Sequence, residues 1–381
     1  MKTNLLLIAC FCHITLLTAT TPYISKIFDF VPAPGQFTNI LPSYEEGNIK
    51  DSVIAKAYRS IAKTDNGTMI CLGAWGGYIV VGFDHTIPNV ADEKDFKIAG
   101  NAFVSYQTDS MRYGGSSEPG IVMVAYDTNK NGLPDDEWYE IAGSEYYKNS
   151  TIKDYEVTYY KPTTAQDSAV TAIDKYIRWK DNQGQSGYIC KNVLHKQSYY
   201  PLWIKSDSIT FKGTLLPQNG VPGTNGGNTI LYAFDWGYAD NFPNTDDRSH
   251  FDIEWAVDST GNPVHLNGID FIKVYTGVLQ NNGFLGECST EIAGITDLHY
   301  QSATTETTNP QLYVNTNIAT YLNIFSDKSL HGFLFTAAGI KIGDFAITSG
   351  NNILSTNSLP NGLYLLQITD NQIHTNYKLI K

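Results

Sequence analysis

Charge is scarce in this chain. Asp, Glu, Lys and Arg make up only 17% of its 381 residues, and acids outnumber bases 38 to 26. A formal charge of −12 argues against a nucleic-acid partner, because phosphate binding needs basic clusters. The low charge comes with 42% apolar residues, a globular balance rather than a disordered one. Cysteine is equally sparse, at five. Without the first twenty residues, three widely spaced ones remain, Cys71, Cys190 and Cys288. These make neither a disulfide framework nor a zinc site and read as apolar strand residues. The longest early apolar run, Leu5 to Leu17, is too short to span a bilayer and is broken by His13. Helical periodicity is nearly absent. So are the Gly-x-Ser-x-Gly elbow, His-Glu-x-x-His and the phosphate loop, and the eight His are scattered. A catalytic reading therefore rests only on paired carboxylates of the glycosidase kind, whose separation no sequence gives. The protein is expected to be non-enzymatic.

Lys2, the apolar stretch after it and the small residues Thr18-Ala19-Thr20 have the pattern of a secretory signal peptide over residues 1–20. The chain is then rich in Gly (32) and Tyr (25), which favour turns and strands. Runs such as Tyr78-Ile79-Val80-Val81-Gly82-Phe83 and Ile121-Val122-Met123-Val124-Ala125 are punctuated by Gly, Pro and Asn. Tyr155, Val157 and Tyr159 alternate with polar residues, and Phe251 to Val257 places four large apolar residues on one face. Asp51 caps the one helix the sequence predicts, with Ile54, Ala57, Tyr58 and Ile61 at helical spacing. These signals predict an all-β protein with a large antiparallel β-sandwich of jelly-roll or galactose-binding-like type over residues 21–300. A polar, Thr-rich linker is expected at 301–310, then a small Ig-like β-sandwich at 311–381.

The acidic loop after Ala125 carries the sharpest chemical signal. Asp127, Asn129, Asn131 and Asp135 fall at the alternate positions of a calcium loop, Gly132 takes the sixth place, and Leu133 offers its carbonyl. The twelfth position is Trp138, where an EF-hand has a bidentate Glu, so Asp136, Glu137 or Glu140 must substitute. Calcium is thus the expected cofactor, bound weakly and structurally. A second acidic region, Asp235 to Asp247, lacks regular spacing and reads as a polar surface loop. Of the six Trp, Trp179 and Trp255 alternate into a core. Trp75, Trp203 and Trp236 stand beside Gly or Pro, where a rim side chain can stack on a sugar ring or a flat macrocycle.

Two resemblances follow. Leu359-Pro360-Asn361-Gly362-Leu363-Tyr364-Leu365-Leu366-Gln367-Ile368 and the end Tyr377-Lys378-Leu379-Ile380-Lys381 resemble the C-terminal sorting domain of the type IX secretion system of Bacteroidota. The resemblance implies passage through outer-membrane secretion machinery to the cell surface or medium. The family's opening Pro-Asn-Pro is missing here. The large domain is similar to bacterial cell-surface proteins with galactose-binding-like sandwiches, through Gly82-Phe83-Asp84, Asp95-Phe96, Asn101-Ala102-Phe103, Glu118-Pro119, Asp270-Phe271, Lys273-Val274-Tyr275, Gly286-Glu287 and Ser289-Thr290-Glu291-Ile292. Some members sit among surface proteins devoted to corrinoid uptake. The expected function is therefore a non-catalytic surface protein that binds a glycan or a corrinoid. The rivals are a polysaccharide-active hydrolase and an adhesin for protein partners.

Overall fold

The computed structural model describes residues 21–104, 113–164, 166, 173–223, 228–300, 312–315, 318, 320–326, 328–369 and 374–381. The expected signal peptide and linker lie outside these residues. The chain divides into two compact units, Met1–Ser302 and Ala303–Lys381. Among the described residues the elements are strands, apart from the helix Lys50–Ile61 and short turns of helix. The all-β expectation holds.

A six-stranded antiparallel sheet organises the large unit, in the order Lys26–Val31, Tyr78–Pro88, Gly268–Thr276, Gly120–Ala125, Trp138–Ile141, Ala256–Val257. Its register aligns Ile79 with Val274 and Val122, and Val81 with Ile272 and Val124. These rows face one core, shared with the helix residues Val53, Ala57 and Ile61. The alternate residues Ile121, Met123, Tyr78 and Tyr275 face a second core. That core is closed by a four-stranded sheet, Ser186–Asn192, Ile173–Asp181, Ile152–Tyr160 and Ser208–Leu215, through Tyr155, Val157, Tyr159, Ile177 and Phe211. The segments Tyr78–Phe83 and Ile121–Ala125 of the central strands are apolar without a break because both their faces are covered.

Two local expectations change. The helix begins after Ile49, which makes no side-chain cap; Asp51 lies in the first turn, where its charge suits the helix dipole. Phe251 to Val257 is not one strand but His250–Phe251, a 3-10 turn Ile253–Trp255, and Ala256–Val257. The Asp252 carboxylate accepts from the Glu254 N–H at 3.0 Å and caps that turn. The turn breaks the alternation and leaves Trp255 half-buried.

The small unit has two sheets. One pairs Leu312–Val314, Tyr321–Ser326 and Gly350–Ser355; the other pairs Lys341–Ile347, Leu330–Thr336, Leu363–Thr369 and His374–Ile380. Leu322, Ile324, Leu334, Leu366, Ile368 and Leu379 form a core of their own. Burial alternates residue by residue along Tyr321–Ser326, as expected where one face of a strand meets a core.

Candidate ligand cavity and its carboxylates

Three chain segments deliver three acids to one place. Glu118 precedes the central strand Gly120–Ala125, Glu291 begins the strand Glu291–Ile292, and Asp240 sits in a loop in the left-handed conformation, with φ 50°. Asp240 is fixed by backbone: Oδ1 accepts from the N–H groups of Asn101 at 2.7 Å and Ala102 at 2.8 Å, and Oδ2 from that of Glu291 at 2.9 Å. Glu118 Oε1 accepts from the Ser289 N–H at 3.0 Å, and the Ser289 hydroxyl donates to Glu291 Oε1 at 2.9 Å. One oxygen from each carboxylate lies within 4.8 Å of the others. Burial raises the pKa of all three, and their mutual repulsion lifts Glu118 and Glu291 further.

Glu118 also lines a cavity of about 970 Å³, together with Gln36, Glu287, Phe103, Ile230 and Leu285. One wall is a small sheet, Gly220–Val221, Ile230–Tyr232, Gly114–Ser116 and Phe103–Val104. Glu287 is 2% exposed, and burial pushes its pKa up to about 7. Its Oε1 accepts from the Gln36 N–H at 2.7 Å. Glu287 Oε2 and Gln36 Oε1 are buried with no hydrogen-bond partner among the described residues. Among the described residues, no Lys, Arg or His charge figures among the main influences on the four acids.

A second cavity, of about 490 Å³, holds Glu140, Lys153, Thr214, Tyr146 and Trp138. Here the buried acid is matched. The Thr214 hydroxyl donates to Glu140 Oε2 at 2.6 Å, and Lys153 Nζ lies 3.5 Å from Oε1 and 3.0 Å from the Tyr146 ring centre. Burial raises the Glu140 carboxyl against the pull of Lys153 and lowers the Lys153 ammonium.

The calcium-loop residues converge. The Asp127 carboxylate accepts from the N–H groups of Asn131 at 3.1 Å and Gly132 at 2.8 Å. Asn129 Oδ1 accepts from the Asn131 N–H at 2.9 Å, and Asn131 Oδ1 from the Leu133 N–H at 2.7 Å. The amides of Asn129 and Asn131 donate to Asp135. Gly132 takes φ 72°, a conformation that costs other residues strain. Of the acids able to replace the twelfth ligand, Glu140 is committed to the second cavity and Glu137 accepts from the Tyr139 hydroxyl. Asp136 stays beside the loop, its Oδ1 accepting from Thr128 and its Oδ2 without a partner among the described residues.

The three tryptophans do not form one site. Trp75 is fully buried, its Nε1 donating to the Thr214 carbonyl at 3.2 Å and its ring 4.7 Å from that of Tyr155. Its rim placement is thereby corrected. The neighbouring Gly76 marks close packing rather than an exposed turn, because a Cβ there would lie 2.4 Å from Phe211 Cβ. Trp203 is half-buried against the other core, stacked near Phe30 and Tyr44. Trp236 is 37% exposed, 4.6 Å from the ring of Trp255. None of the three lines the large cavity. The region Asp235 to Asp247 is not wholly a surface loop either, since Asp240 and Asn241 are buried. The one sequence signal for these buried acids is Glu287 and Glu291 standing among small and apolar residues in Gly286 to Ile292.

No family model and no curated protein matches the chain. Among solved structures it is similar to a biofilm-associated protein BSP domain, at 12% identity and TM-score 0.16, over 87% of this chain and 55% of that one. It is also similar to Ruminococcus gnavus beta-glucuronidase, at 9% identity and TM-score 0.13, over 74% of this chain and 46% of that one. The chain thus spans about half the length of the structures it matches. Likenesses this weak carry nothing about activity.

Proposed function

We propose that the large unit is the ligand-binding part of an exported, non-catalytic cell-surface protein, and that a glycan or a corrinoid occupies the large cavity. The observation that carries this reading is a pair of buried acceptors, Glu287 Oε2 and Gln36 Oε1, left without donors among the described residues, on two residues that line a cavity of mixed polar and apolar surface. Buried acceptors without partners are costly, and sugar hydroxyls or the amide N–H groups of a corrin periphery supply what they lack. The cavity lies within the range of small-molecule sites. In this reading calcium occupies the loop of Asp127, Asn129, Asn131, Leu133 and Asp135, stabilising the fold by roughly 0.4–1.4 kcal/mol at millimolar calcium. The unit Ala303–Lys381 serves display at the surface through the secretion machinery.

Phe103 is 58% exposed at the cavity, so its loss leaves the fold intact. Calorimetry with a glycan panel and with cobalamin should show Phe103→Ala weakening one ligand by roughly 1–3 kcal/mol at an unchanged melting temperature. Trp236→Ala serves as the comparison outside the cavity. Equal affinity in Phe103→Ala and wild type would remove the cavity from the account.

A second reading, a polysaccharide-active hydrolase, is favoured by Glu118 and Glu287 lining one cavity with raised pKa values. Turnover of a bound glycan, abolished in Glu287→Gln, would replace the binding reading with this one.

A further inference from the structure

We propose that Glu118, Asp240 and Glu291 hold a divalent cation of the calcium class, at a site independent of the Asp127 loop. Their oxygens lie within 4.8 Å of one another, the span of ligands on opposite sides of an ion with bonds of about 2.4 Å. Each carboxylate is already aimed. Backbone N–H groups fix Asp240 and Glu118, and the Ser289 hydroxyl fixes Glu291, as outer contacts orient ligands at metal sites. Asp240 Oδ1 is filled by its two N–H donors, but Asp240 Oδ2, Glu118 Oε1 and Glu291 Oε1 each accept one bond named above and keep a further lone pair for a metal.

A cluster of acids alone would not make a site; what lies beside this one does. Glu287 is 2% exposed and Gln36 7%; both residues line the cavity that Glu118 lines, and each has a buried oxygen without a partner among the described residues. The unpartnered atoms are acceptors, and among the described residues no basic side chain figures among the main influences on Glu118, Glu287 or Glu291. Beside three carboxylates, such acceptors suit a cation as well as a ligand's donors. Anionic oxygen donors select hard cations. Cys71 Sγ, the nearby soft donor, is engaged with the Ser289 hydroxyl at 2.9 Å. An ion here ties together three segments far apart in sequence. Because Glu118 is partly open to the cavity, the ion's remaining positions face water or the hydroxyls of a ligand.

The test uses the full chain with the loop disabled by Asp127→Ala and Asn131→Ala. After removal of metal, calcium chloride is titrated by calorimetry and bound calcium is counted by atomic emission, with magnesium chloride as the comparison. The loop-disabled protein should bind one equivalent of calcium. Adding Glu291→Gln should weaken that binding by at least about tenfold, the order expected for damage to a metal site. If the loop-disabled protein binds no calcium, the cluster is a proton-sharing group of acids and the inference fails, whether or not the wild type binds calcium at its loop. Should Glu291→Gln not fold, the stoichiometry of the loop-disabled protein alone decides.

Discussion

At the smaller cavity Glu140 keeps a cation within reach, Lys153 at 3.5 Å, and a hydroxyl from Thr214 at 2.6 Å. Glu118 and Glu287, which line the larger one, and Asp240 and Glu291, which cluster with Glu118, lean on backbone N–H groups and on Ser289, and among the described residues no basic side chain figures among the main influences on them. Burying a carboxylate is costly in either place, and a neighbour's charge decides whether the cost is met within the protein. The first cavity is electrostatically complete. The second has no such counter-charge among the described residues, and that difference is what the proposed ligand and ion rest on.

The largest expected effect tests the foundation of the complete cavity. Trp75 donates to the Thr214 carbonyl, and the Thr214 hydroxyl donates to Glu140, so the ring supports the wall that holds the pair. Trp75→Ala opens a void in the second core and should cost about 3–5 kcal/mol in urea denaturation. A loss below about 1 kcal/mol would mean that the ring is not packed as described.

The two cavities should then answer opposite substitutions with opposite signs. Lys153→Met leaves Glu140 buried without its cation. The loss should be about 1–3 kcal/mol, less than for a fully enclosed pair because Lys153 is 38% exposed. In the larger cavity Glu287→Gln removes an acid with no counter-charge among the described residues and keeps an acceptor for the Gln36 N–H. Without calcium or ligand it should cost nothing, or stabilise by up to about 1 kcal/mol. If both variants lose stability alike in urea denaturation, the contrast between the cavities is wrong.

Much of the scaffold was legible because packing writes itself into periodicity. Tyr78 to Phe83 and Ile121 to Ala125 are apolar without a break since each strand is covered on both faces, and Tyr321 to Ser326 alternates since its strand meets a core on one. The tryptophans were misread where a local device overrode the pattern. The Asp252 cap turned a strand into a 3-10 turn and brought Trp255 toward solvent. Gly76 served close packing against Phe211, so the Trp75 beside it faces inward. The acidic site was out of reach for a different reason. Glu118, Asp240 and Glu291 come from three separate segments, and only the register of the sheets and the loop at Asp240 bring them together. The residues of the proposed calcium loop, by contrast, are contiguous, so their spacing alone was enough to raise the expectation of a metal.

His85 offers a third case, intermediate between the two cavities, because its charge can be switched. Its Nδ1 lies 2.8 Å from Asp84 Oδ1 and its Nε2 2.9 Å from Asp297 Oδ2. Only the doubly protonated ring donates to both. The hydrogen bond to Asp297, joined by that to Asp84, raises the His85 pKa above 6.5 despite partial burial. A raised folded-state value means that the contribution is fully present below the unfolded pKa and is lost as pH rises through the folded one. Asp297 should therefore behave like Glu140 at pH 5.5, with a cation beside it, and like the acids of the larger cavity at pH 9. The magnitude is small, about 0.2–1 kcal/mol, because the pair is partly open to water. The measurement is urea denaturation of wild type and His85→Gln at both pH values, where titrations elsewhere cancel in the difference. Wild type should exceed the variant at pH 5.5 by more than at pH 9. A difference that stays constant, or grows toward high pH, would show that His85 holds its place by shape and hydrogen bonding alone, and that the charge of a neighbour is not what settles the cost of this buried carboxylate.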